Sequence, residues 1–339
     1  MNIMKNPIPG GVIDIHTHVV PGKFPGNPIA KNSQKWPCMQ CTAAGHHVIY
    51  YGDQPFRTLE PNSWDPAARL DEMDARNIAR QVLSPMPEMF GYWLDPRQTT
   101  VLADHVNGVI AKMVAEAPNR FTGFGTVTLQ EPALAVREVE RIARVHALRG
   151  IEIGSHIAGV PIGDRRFDEF YAAVEEYDLS LFIHAVHPPT DRIVGPPLME
   201  ALIAFPQELA LAATSLMVGQ VLERHPRLRI CLSHGGGSFP WIAGRLKNGW
   251  SVSAEVRGAI SVDPQEWMRK VWYDSLVYDS IVLNGLIELV GDDKIVIGTD
   301  YPFLIQEIDP VGFISAAISN ESVKTRLCRT NALSYLGVT

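Results

Sequence analysis

Eight short runs rich in β-branched and apolar residues alternate with amphipathic helical stretches along this 339-residue chain. That alternation constrains the fold more than any other feature. The runs cover residues 12–16, 79–83, 123–128, 150–153, 179–184, 229–233, 271–274 and 295–298. Helical patterns at 64–73, 95–117, 131–146, 166–177, 206–225, 239–246, 279–290, 308–319 and 321–336 separate and follow them. Strand–helix repetition of this kind builds a parallel sheet, because each helix is the crossover to the next strand. A doubly wound open sheet would carry a glycine-rich phosphate turn after its first strand, and none is present. The expected fold is therefore a (β/α)8 TIM barrel, with residues 1–339 forming one domain.

One stretch breaks the rhythm. Residues 19–63 hold many Pro, Gly and Asn and no long helical pattern. Within them 39–42 and 47–51 flank Ala43-Ala44-Gly45, which predicts a small β-hairpin inserted after the first strand. Long insertions at the C-terminal end of a barrel strand cover the mouth where such folds build their sites.

Composition narrows the partners. Hydrophobic residues make up 46% and charged residues 20% of the chain, ample for a packed core. A net charge of -7 without any basic block argues against nucleic acid and anionic membranes. No window approaches about 18 consecutive apolar residues, so no membrane span is expected. Residues 1–11 lack the apolar segment of a signal peptide. Cys38, Cys41, Cys231 and Cys328 are too scattered for a disulfide framework. A cytoplasmic protein is expected.

The strand ends carry the chemistry. His16 and His18, two apart in an extended chain, leave the same face of the first strand. The fifth strand stops on His184, the sixth on Ser233-His234 before three glycines, and the eighth on Gly298-Thr299-Asp300. In a barrel these ends converge on one mouth. Each residue alone has a plainer role: His184 bonded to a carbonyl, Asp300 capping a helix, His234 topping a turn. Four histidines and one aspartate on four strand ends together suit a borderline divalent ion with an open position for water.

These residues, with Ser-His-Gly-Gly-Gly-Ser-Phe at 233–239 and Gly-Thr-Asp-Tyr-Pro-Phe at 298–303, resemble the amidohydrolase superfamily. Phe56-Arg57, Phe90-Gly91-Tyr92, Gly150-Ile151-Glu152-Ile153-Gly154 and Gly244-Arg245 narrow the resemblance to its decarboxylase branch, the 2-amino-3-carboxymuconate-6-semialdehyde decarboxylase-like enzymes. The resemblance implies that His16, His18, His184 and Asp300 bind one zinc ion, with manganese as another divalent option. It implies that His234, beside a metal-bound water, supplies acid/base chemistry. It further implies that Arg57, and Arg245 reaching across a homodimer interface, grip the carboxylates of a small substrate. Phe90 and Trp93 are expected to touch that substrate. The physics is consistent: zinc lowers the pKa of a bound water to about 7, and an arginine fork matches a planar carboxylate.

The resulting expectation is a zinc-dependent, non-oxidative decarboxylase of a small unsaturated or aromatic acid. A hydrolase or hydratase on the same scaffold is the alternative, since the same residues make a water nucleophile. A non-catalytic binding protein would leave the clustered histidines without purpose. The sequence departs from the narrow branch at His184-Ala185-Val186-His187, which adds a histidine beside the site and leaves the substrate open. Cys38, Cys41, His46 and His47 have a spacing that could hold a second zinc, although a hairpin explains it equally well.

Overall fold

A computed structural model describes residues 8–29, 36–43 and 45–338. Eight parallel strands follow one another around a single sheet in chain order. They are Val12–Val19, Ile78–Pro85, Phe121–Gly125, Gly150–Gly154, Ser180–His184, Arg229–Leu232, Trp272–Asp274 and Ile295–Val296. Bridges of Asp14 to Ile297 and Thr17 to Tyr301 join the last strand to the first. The Ile15 N–H donates to Ile297 O at 2.9 Å and the His18 N–H to Tyr301 O at 2.7 Å. The expected (β/α)8 barrel is thus present, with helices packed around it.

The third strand ends earlier than the sequence pattern suggests. Beyond Gly125 the Asn107 side chain replaces the ladder, accepting from Thr126 N and donating to Thr126 O, both at 2.9 Å. Inside the barrel Val82, Phe124, Phe182, Cys231, Trp272 and Val296 form a packed layer. Tyr335 closes it from below against the Phe124 and Trp272 rings. The Phe182 ring lies 4.9 Å from that of His16, so this layer is the floor beneath the histidines.

The insertion contains the expected hairpin, Pro37–Cys41 paired with His47–Tyr51, although Ala44 at its turn lies outside the described residues. It also gains a third antiparallel strand, Gln54–Leu59. Pro55 hides this strand from pattern reading, yet an edge position tolerates proline because that side needs no N–H. Buried Ile49 and Leu59 anchor the sheet, and Arg57 rides on its edge strand opposite Ile49.

After the fifth strand, a wide turn at Glu200–Ala204 runs directly into the helix Phe205–Val218. The stretch Glu200–Val218 is long and apolar enough to cross a bilayer by length and composition. Here it serves as a barrel helix, with Leu209, Ala213, Leu216 and Met217 buried.

Candidate metal centre and active site

His16 and His18 project from one face of the first strand, as their spacing requires. Each ring is oriented through Nδ1. The His16 Nδ1 lies 2.7 Å from Asp274 Oδ2, His18 Nδ1 3.1 Å from Pro85 O, and His184 Nδ1 2.8 Å from Ala185 O. A carbonyl or carboxylate oxygen only accepts, so these contacts place the proton on Nδ1 and turn the Nε2 lone pair inward. The inward atoms meet. His16 Nε2 and His18 Nε2 stand 3.1 Å apart, and Asp300 Oδ1 lies 3.0 Å from His18 Nε2 and 3.5 Å from His16 Nε2.

His184 completes the group. One donor atom from each of His16, His18, His184 and Asp300 lies within 4.8 Å of the others, and all four residues are buried. Among the described residues, His184 Nε2 and Asp300 Oδ1 have no hydrogen-bond partner. Two such buried acceptors without a donor are costly unless a cation satisfies them. Three imidazoles and one carboxylate are a fitting donor set for a single divalent ion. Asp300 caps no helix; its N–H donates to His16 O at 2.9 Å, and the next helix begins only at Pro310.

The electrostatics favour positive charge at this point. Burial alone would raise the Asp300 carboxyl, but His18, His16 and His234 outweigh it and hold that carboxyl well below its usual range. Burial would lower the His16 imidazole, but Asp274, Asp300 and Asp14 outweigh it and raise it. Burial, together with the neighbouring imidazoles, pushes His184 well down.

His234 follows the sixth strand in a turn of positive φ, 52° at His234 and 61°, 72° and 59° at Gly235, Gly236 and Gly237. Only glycine suits the last of these: a Cβ on Gly237 would lie 2.1 Å from Pro206 O. The backbone N–H groups of His234 and Gly235 donate to Asp274 Oδ2 and Oδ1 at 2.9 and 2.8 Å. The imidazole thereby stands 4.8 Å from the His184 ring and 5.2 Å from the His16 ring. Its Nε2 is buried without a partner among the described residues, and burial, aided by His16, lowers its pKa to about 4. His234 is therefore neutral near pH 7 and able to accept a proton.

Asp274 orients both His16 and His234, and sequence reasoning assigned it no role. Its signal was present: it ends the seventh strand, as the other site residues end theirs. Glu152 was likewise unassigned; it is buried within the fourth strand, 4.0 Å from His18 Nδ1.

A cavity of about 380 Å³ opens on this cluster, lined by His184, Asp300, Phe205, Phe303, Arg57 and Glu88 among others. Phe303 stacks on the His18 ring at 5.0 Å and carries the Arg57 guanidinium 4.4 Å from its ring centroid. Phe90 and Trp93 do not line this cavity. Phe90 is fully buried in the core and stacks on Tyr92, while Trp93 lies 4.2 Å from the His187 ring. Arg245 is exposed on the helix Phe239–Val252, also outside the cavity lining of this chain. Cys38 and Cys41, three apart on one strand, leave opposite faces, and the described residues contain no metal-holding group there.

Residues 13–338 match the amidohydrolase family. The chain is 33% identical to 2-amino-3-carboxymuconate-6-semialdehyde decarboxylase of Dictyostelium discoideum, over 96% of this chain and 91% of that protein. It is 27% identical to gamma-resorcylate decarboxylase of a Rhizobium species, over 78% and 84% of the two chains. The crystal structure of 5-carboxyvanillate decarboxylase from Sphingomonas paucimobilis superposes with a TM-score of 0.80 at 27% identity, covering 97% and 99%. With its barrel, its strand-end cluster and these relatives, the chain belongs to the amidohydrolase family, in the branch of the decarboxylases.

Proposed function

We propose that this protein is a zinc-dependent, non-oxidative decarboxylase of a small unsaturated or aromatic carboxylic acid. The observation that carries the proposal is the convergence of His16, His18, His184 and Asp300, all buried and with donor atoms within 4.8 Å of one another, with His184 and Asp300 opening on one cavity. These four side chains would hold one divalent ion, zinc by the chemistry of its donors, with manganese compatible. When bound, such an ion supplies a Lewis acid that draws electron density from a substrate oxygen.

The remaining roles belong to the chain. His234, a weak base in its buried place, takes a proton from solvent on Nε2 and, once charged, gives it to the carbon that loses CO2; the electron pair of the broken C–C bond forms the new C–H bond, so one proton replaces one CO2. Asp274 holds His16 and the His234 turn in register. Phe205 and Phe303 wall the cavity with apolar surface that suits a flat unsaturated substrate and excludes water. Arg57 lines the same cavity and presents its guanidinium donors to the substrate. The working form proposed is a cytoplasmic homodimer in which Arg245 reaches the partner's cavity.

Metal analysis of protein purified without chelator, joined to a screen of benzoates and muconates for CO2 release, tests this reading. One equivalent of zinc and stoichiometric CO2 are expected. A metal-free active protein, or a product that gains water and keeps its carbon, would overturn it in favour of another chemistry.

A further inference from the structure

The cavity wall beside Phe303 contains a pair of opposite charges. Arg57 Nη2 and Glu88 Oε1 stand 3.6 Å apart, too far for a direct hydrogen bond. Both are held in place. Arg57 lies over the Phe303 ring, and Glu88 is one residue of the short turn Pro87–Phe90, whose carbonyl at Glu88 accepts from Tyr51 Oη at 3.4 Å. The glutamate is the more enclosed of the two, its side chain 17% exposed against 35% for the arginine. Among the described residues of the lining, formal charge is one arginine against the carboxylates of Glu60, Glu88 and Asp300. A divalent ion at the histidines would bring that balance to neutrality.

We infer that Glu88 is a specificity-determining residue, and that the Arg57–Glu88 pair selects a neutral hydroxyl on the substrate rather than a second carboxylate. A hydroxyl oxygen can stand about 2.8 Å from both atoms, accepting from the guanidinium and donating to the carboxylate. A carboxylate there gains Arg57 but faces Glu88 at close range, and an ammonium group meets the opposite conflict. Arg57 is thus already partly neutralised before any ligand arrives. The substrate class that fits is a monocarboxylic acid, its acid group toward the histidines and a hydroxyl toward the pair. This rests on the decarboxylase reading only for which end of the ligand faces the histidines.

Calorimetric binding to the protein as purified tests the inference without turnover. The probes are the three monohydroxybenzoates and the three benzenedicarboxylates of matching substitution. The wild type is expected to bind its best hydroxybenzoate about tenfold tighter than the matching dicarboxylate. Glu88→Ala should bring that ratio to within about twofold or invert it, and Glu88→Gln, which keeps an acceptor without the charge, should fall between. A wild type that prefers the dicarboxylate, that binds none of the six, or whose ratio survives Glu88→Ala unchanged overturns the assignment. Should either variant fail to fold, the wild-type ratio and the other variant decide. Loss of the decarboxylase reading would appear differently, as selective binding without CO2 release from any of the acids.

Discussion

A single oxygen of Asp274, Oδ2, faces His16 Nδ1 at 2.7 Å and accepts the His234 backbone N–H at 2.9 Å. The ring that would bind the ion and the ring that would move the proton therefore share one anchor, which is itself fully buried. Carboxylates behind histidine ligands fix the ring tautomer and raise its basicity.

Asp274→Asn should accordingly weaken metal binding about 10- to 100-fold and lower activity even at saturating metal. Competition with a chromogenic chelator measures the first effect and CO2 release the second. Wild-type affinity in the variant would show that the anchor is dispensable.

Asp300→Ala removes the one anionic donor of the cluster and leaves three neutral rings. The expected outcome is a protein that folds yet retains little metal after gel filtration, read by elemental analysis. Full loading with activity would remove Asp300 from the ligand set.

His234→Ala is expected to behave in the opposite way. Its ring is not one of the four clustered donors, so the metal should stay while turnover drops about 10²- to 10⁴-fold. Retained activity would take away the acid/base role.

Glu138 offers a check on stability away from the site. Burial raises its carboxyl despite hydrogen bonds from the Thr128 N–H and hydroxyl. The folded state thus binds this proton at a pH where the unfolded chain has released it, and stability falls as pH rises through that interval. Relative to wild type, Glu138→Gln should look less favourable at about pH 4 than at about pH 7. Urea midpoints at both values read the difference, and equal differences would contradict the raised carboxyl.

Arg245 is exposed on its own chain and lies outside that chain's cavity. If it completes the partner's site, mixing inactive Arg57→Ala and Arg245→Ala protomers in equal amounts should restore about a quarter of the wild-type activity at full exchange, because half of the dimers are then mixed and one of the two sites in each is intact. No recovery after verified subunit exchange would confine each site to one chain.

Much of this protein was legible in the amino-acid order because the signals are local. Strand and helix periods are set by neighbouring residues, and a strand that ends on His184 or on Thr299-Asp300 delivers that side chain to the barrel mouth by geometry alone. His16 and His18 needed only a spacing of two. Other features depend on residues far apart in the chain and carry no local mark. Asp274 gains its role because closing the barrel brings it to His16, 258 positions earlier. Phe90 resembles a substrate contact in sequence, yet packing turns it into the core. The third strand of the insertion exists because His47–Tyr51 offers an edge that Gln54–Leu59 can pair with despite Pro55. Glu88 faces Arg57 only because that edge strand and the turn after the second barrel strand meet over the cavity. Periodicity and strand-end chemistry thus determined the barrel and its cluster of donors. The partners of those donors, and the charge that faces a substrate, were decided by tertiary contacts, since pair distances arise only when the sheet closes.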